Sequence, residues 1–240
     1  MIAAEHAVRL DGASGAVDWR NFLTVGPHGE EFGAVNDGAL DAAGNLFVAG
    51  VDDAAGFMVA KLDGVTGGGY PIAGKRLRVR DGDGAPSRRS INFLSQDPNV
   101  AGDPSGALAD PTTAGALLEL INPTTTETAT MQLPAAGWTA LGMPPGSLGY
   151  RYVDGHGALG PCTKVLMTPR KLLASCKGAG IPFSLDEPTQ GSLAVRLTSG
   201  PDGLRRCALF GGSVRRDQGA GGGSGGLYFA KDSARPDECP

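Results

Sequence analysis

No stretch of ten residues in this chain keeps the 3.6-residue apolar period of an amphipathic helix. Short apolar runs broken by Gly, Pro and Asp-Gly recur along it instead. Arg76-Leu77-Arg78-Val79-Arg80 alternates polar and apolar residues, the period of a half-buried strand, and 90–95 answers it with Ile91 and Phe93 on one face. Further strands are expected at 116–121 and 128–133, forming a hairpin across Asn122-Pro123, and at 148–153, 164–168, 171–175, 193–198, 204–210 and 227–231. Glycine (39) and proline (17) approach the level of low-complexity sequence, but 41% hydrophobic residues suffice for a core, which leaves an all-β fold.

The N-terminal quarter carries a repeat. Val8-Arg9-Leu10-Asp11-Gly12-Ala13-Ser14-Gly15 is echoed by Ala60-Lys61-Leu62-Asp63-Gly64-Val65-Thr66-Gly67. Between the copies, Asp41-Ala42-Ala43-Gly44-Asn45 reads as a turn before the strand Leu46-Phe47-Val48-Ala49-Gly50. An offset of roughly 50 residues is that of a propeller blade. These residues resemble the blades of bacterial β-propellers of the quinoprotein-like and seven-bladed repeat families. The resemblance covers about residues 7–70 and implies architecture rather than activity, although such families include calcium-dependent lactonases. Where the next Asp-Ala-Ala-Gly-Asn strand should fall, the chain reads Arg88-Arg89-Ser90-Ile91-Asn92-Phe93. A single blade closes no ring. Residues 1–73 are therefore expected to be the end of a truncated array, with a two-hairpin sheet packed on the second domain as the alternative.

Residues 74–240 are expected to form a separate β-sandwich or jelly-roll-like domain. This part is similar to the C-terminal module of uncharacterised exported bacterial proteins, through Leu133-Pro134-Ala135-Ala136-Gly137-Trp138, the Cys162-to-Cys176 pair, Asp186-Glu187-Pro188-Thr189-Gln190-Gly191-Ser192-Leu193 and Cys207-Ala208-Leu209-Phe210-Gly211-Gly212. That resemblance implies export and brings no activity with it.

The formal net charge is −4, and no basic cluster is interleaved with aromatics, which argues against a nucleic-acid partner. No apolar run is long enough to span a membrane. Residues 1–10 lack the layout of a signal peptide, so the frame is expected to start inside a longer protein. Cys162, Cys176, Cys207 and Cys239 form no Cys-x-x-Cys pair, and no histidine stands at a zinc-ligand spacing. Their even number in a β-rich chain fits two disulfides and an extracellular or periplasmic location. Of three pairings, Cys162–Cys176 (bracketing a hairpin) and Cys207–Cys239 (tying down the tail) are favoured, with four buried thiols as the alternative.

Two places could carry chemistry. Pro145-Gly146-Ser147-Leu148-Gly149 misses the nucleophile-elbow motif by one residue, and Asp154-Gly155-His156-Gly157 follows it, so Ser147, His156 and Asp154 form a candidate catalytic triad. Asp81-Gly82-Asp83-Gly84 opens like a calcium loop, making Asp81 and Asp83 candidate ligands, with Asp97, Asp103 and Asp110 able to join only through folding. An exposed turn around His156 and a solvated hairpin loop at 81–84 are the favoured readings of the two segments. Gly222-Gly223-Ser224-Gly225-Gly226 is read as a flexible loop, and the basic pairs Arg88-Arg89, Arg205-Arg206 and Arg215-Arg216 as a mixed solvated surface. The leading functional expectation is an exported, non-catalytic module that binds or anchors to carbohydrate or another surface polymer. The alternative is a hydrolase of a small ester or lactone ligand, assisted by calcium.

Overall fold

The computed structural model describes residues 6–10, 17–22, 32–40, 46–52, 57–62, 69–82, 85–101, 109–200, 204–220, 225–237 and 239. The chain is all-β and divides into two compact units, Met1–Gly68 and Gly69–Pro240.

In the first unit, strands β1 (His6–Leu10) and β2 (Val17–Phe22) form an antiparallel pair. β3 (Phe32–Leu40), β4 (Leu46–Asp52) and β5 (Phe57–Leu62) form a three-stranded antiparallel sheet. The Asp-Gly turns at 11–12 and 63–64, and the turn at 41–45, lie outside the described residues.

The second unit contains thirteen strands among the described residues: β6 (Tyr70–Pro71), β7 (Gly74–Arg80), β8 (Ser90–Ser95), β9 (Ala116–Ile121), β10 (Thr128–Leu133), β11 (Trp138–Leu141), β12 (Gly149–Val153), β13 (Cys162–Thr168), β14 (Lys171–Lys177), β15 (Leu193–Ser199), β16 (Leu204–Phe210), β17 (Val214–Gln218) and β18 (Leu227–Ser233). They build two open sheets, ordered β10-β9-β15-β16-β6 and β11-β12-β13-β14-β8-β7-β18-β17. All neighbours are antiparallel except β16 and β6.

The inner faces of both sheets supply one apolar cluster. Leu77, Val79, Ile91, Phe93, Val165, Leu172 and Ala230 come from the eight-stranded sheet, and Leu118, Leu120, Met131, Leu133, Val195, Leu197 and Phe210 from the five-stranded one. Phe93 and Phe210 meet edge to face at 6.0 Å between ring centroids, a favoured aromatic geometry. The Tyr228 hydroxyl crosses between sheets to donate to the Phe210 carbonyl at 2.6 Å, and burial raises its pKa. Gly74 has to be glycine because a Cβ there would lie 2.3 Å from the Phe210 ring.

Both favoured disulfides are formed. Cys162–Cys176 crosses from β13 to β14 as a register pair, and Cys207–Cys239 fastens the C-terminal segment to β16. Their sequence separations are 14 and 32 residues. Loop-closure entropy makes the longer one more stabilising, at about 4 against about 3 kcal/mol. Double Ser variants of each pair, unfolded in urea, should show losses in that order. A larger loss at Cys162–Cys176 would contradict it.

Candidate functional site

The outer face of the eight-stranded sheet carries an unusual share of the chain's positive charge. Its strands contain Lys75, Arg76, Arg78, Arg80, Arg151, Lys164, Lys171, Lys177, Arg215, Arg216 and Lys231, eleven of the 21 Lys and Arg residues. The same strands contain two acids of 25, Asp217 and Asp232. Asp232 is paired with Lys75, and Asp217 accepts the amides of Gln190 and Gly191 at 2.8 Å each. Arg76, Arg78 and Arg80 are exposed because burying Leu77 and Val79 leaves alternate residues on the other side of the pleat.

Register concentrates these cations. Arg78 stands opposite Asn92 on β8 and Phe229 on β18, and Phe229 stands opposite Arg216 on β17. Arg76 stands opposite Lys231. A bulge between Val214 and Arg216 gives β17 an extra residue, Arg215. The result is a groove of about 640 Å³ lined by Arg76, Arg78, Asn92, Arg215, Arg216 and Lys231, with Leu227 and Phe229 among them. The Lys231 ammonium lies 5.2 Å from the Phe229 ring centroid, a cation–π distance. Such a surface attracts polyanions by its field and offers guanidinium forks to planar oxyanions.

The expected triad is not brought together. Ser147 lies in the turn before β12 and His156 in the turn after it, so a strand of roughly 16 Å separates them. Asp154 does not face an imidazole: its carboxylate accepts the amides of Leu159 at 2.7 Å and Ala158 at 3.0 Å. The Leu159 bond is the main reason its pKa falls below the ordinary value. His156 is exposed beside a second cleft of about 410 Å³ that it lines with Ser87, Thr163 and Lys177.

Of the expected calcium loop, Asp81 and Gly82 lie among the described residues. Asp81 is buried and its carboxylate accepts from the Gly82 amide at 2.8 Å, the Arg89 guanidinium at 3.0 Å and the Leu185 amide at 3.1 Å. Burial opposes its charge, but the Leu185 amide and Arg89 outweigh this and hold the carboxyl below its ordinary pKa. Asp83 and Asp103 lie outside the described residues. Asp97 accepts from the amides of Ala73 and Asn99 and from Arg235, and Asp110 caps the short helix α1 (Pro111–Ala114). Each described aspartate of that set is thus occupied in holding backbone.

Two features escaped the sequence reading. Arg206, expected on a solvated surface with Arg205, is fully buried, since it shares the inward phase of Ala208 and Phe210 on β16. It donates to the carbonyls of Val100 and Ala101 and to the Ser199 hydroxyl, and burial brings its pKa down to about 10. The second feature is a group of three carboxylates, Glu127, Asp186 and Glu187, with ligand oxygens within 4.8 Å of one another. Burial, then Glu187 and Asp186, raise the Glu127 pKa, and its Oε2 has no hydrogen-bond partner. Three carboxylates so placed could hold a hard cation or share a proton, but a calcium ion takes six to eight oxygens. Asp186 and Glu187 already accept from Ser184 and Gln190.

Comparison with protein-family models, curated proteins and solved structures gave no match, so geometry alone carries the functional reading.

The carboxylates set opposite pH responses. Asp81 and Asp97, with lowered folded pKa values, contribute stability present above about pH 4 and lost as pH falls through their folded pKa. Glu127, with a raised value, destabilises the fold once pH rises past its unfolded pKa, about 4.3. Asp81→Asn should therefore cost roughly 3–5 kcal/mol at pH 7, through loss of a buried ion pair. Glu127→Gln should raise the melting temperature at pH 7 and lose that advantage near pH 4. Thermal melts from about pH 3 to about pH 7 check both. A Glu127→Gln variant less stable than the parent at neutral pH would contradict the assignment.

Proposed function

We propose that this chain is an exported, non-catalytic binding module, and that the cationic face of its eight-stranded sheet holds an anionic polymer at a surface. One observation carries the reading. Within a chain of net charge −4, one sheet face gathers Arg76, Arg78, Arg80, Arg215 and Arg216 with Lys231, and the two acids on its strands are already engaged. Holding like charges this close opposes folding, and an anionic ligand relieves the repulsion. Two disulfides favour an oxidising compartment, where such polymers coat cell surfaces. The two sheets are read as the layers of a sandwich, a scaffold rigid enough to present the face. The repeat at 7–70 is read as belonging to a propeller-like array that this module accompanies.

Dextran sulfate immobilised on a sensor surface tests the reading. The full chain should bind, and affinity should fall at least about tenfold as salt rises from about 50 to about 200 mM, because contacts release counterions. The Arg76→Gln/Arg78→Gln/Arg216→Gln variant should bind at least about tenfold more weakly and show a shallower salt dependence. Its melting temperature should be unchanged or higher, since all three side chains are exposed. Equal binding by variant and parent would contradict this placement of the site.

A further inference from the structure

The pattern of groups on the cationic face carries a finer conclusion than its sign. Across the sheet, residues in register form a continuous row: Lys164, Ser175, Asn92, Arg78, Phe229 and Arg216, each opposite the next on the neighbouring strand. The order is cation, hydroxyl, amide, cation, aromatic ring, cation. Neighbouring strands lie ~4.8 Å apart, so Arg216 and Arg78 are separated by roughly 10 Å, and Arg78 and Lys164 by roughly 14 Å. The whole row spans roughly 24 Å.

Resting on the polyanion reading above, we infer that the ligand is an acidic polysaccharide, lying across the strands along this row. Three observations support it. Charges along the row are spaced well beyond the ~3.4 Å of helix axis per phosphate in one nucleic-acid strand, so the row suits a polymer whose anionic groups are separated by neutral units. Between the cations stand groups that serve those neutral units. The Ser175 hydroxyl is 3.1 Å from Asn92 Oδ1 and donates to it, which orients the Asn92 amide as a donor for sugar hydroxyls. Phe229 lines the groove with the Lys231 ammonium over its ring, so an apolar edge and a cation stand together where a sugar unit and its acid would lie. The row also runs perpendicular to the strands on one open face of a sheet, so a chain can pass over it without threading.

Calorimetry on the full chain with hyaluronan oligosaccharides of graded length, in which each uronate alternates with a neutral sugar, and with inorganic polyphosphate for comparison, tests the inference. Affinity for the uronate oligomers should climb with length until they reach roughly 24 Å, and then level off. Lys164→Gln and Arg216→Gln, at the two ends of the row, should each weaken binding of long oligomers about five- to tenfold and of the shortest ones less. Phe229→Leu should weaken uronate binding several-fold and leave polyphosphate binding unchanged. Length-independent affinity, a silent Lys164→Gln, or equal sensitivity of both polymers to Phe229→Leu would overturn the polysaccharide assignment while leaving polyanion binding intact. Failure of both polymers to bind would overturn both readings.

Discussion

Burying Leu77 and Val79 decides where Arg76, Arg78 and Arg80 must go. Each apolar side chain removed from water stabilises the fold by roughly 1.5–3 kcal/mol, whereas a one-residue slip of β7 would drive three guanidinium groups into the core. The register of β7 is therefore strongly specified, and its two neighbours inherit it. β8 and β18 are aligned so that Ile91, Phe93, Tyr228 and Ala230 face inward with Leu77 and Val79. The outer row of arginine, asparagine and phenylalanine is the other side of the same alternation. The core and the candidate ligand face are one pattern read from its two sides.

Buried polar groups do a different task, holding the connections onto this frame. Asp81 ties the end of β7 to Arg89 and to the backbone of Leu185, more than a hundred residues on, while Arg89 reaches the carbonyl of Ile181. Asp97 joins Ala73 to Arg235 near the C-terminus. Arg206 carries the carbonyls of Val100 and Ala101 at the edge of the core. Removing one partner from any of these leaves a desolvated charge or amide, so the fold is weakened once pH falls through the lowered folded pKa values of Asp81 and Asp97. These contacts anchor loops and leave the outer sheet face free of carboxylates other than the two already paired.

The fold class was legible because β7, β8, β10, β13 and β14 alternate visibly, and the expected strands over 76–231 are present, some extended by one or two residues. Three strands of the second unit escaped. β17, Val-Arg-Arg-Asp-Gln, holds a single apolar residue, so it has no period to detect. β11 is four residues long, and β6 only two. The candidate site was legible in part. Arg76, Arg78 and Arg80 could be seen to share a face, but Arg216 and Lys231 join them only through pairing across well over a hundred residues, which leaves no local trace. The triad fails for a geometric reason, since a strand between Ser147 and His156 carries them apart. Arg206 did leave a signal: it stands in phase with Ala208 and Phe210 on β16.

Footprinting of arginine and lysine side chains tests the central claim most directly, by chemical modification of the full chain with and without a saturating uronate polymer, read by mass spectrometry. Arg76, Arg78, Arg216 and Lys231 should react in the free protein, being exposed, and become protected when the polymer binds. Arg170, exposed in the turn between β13 and β14, should react equally in both states. Protection of Arg170 with continued reactivity of the four groove residues would show that the polymer binds elsewhere and that the cationic face is not the site.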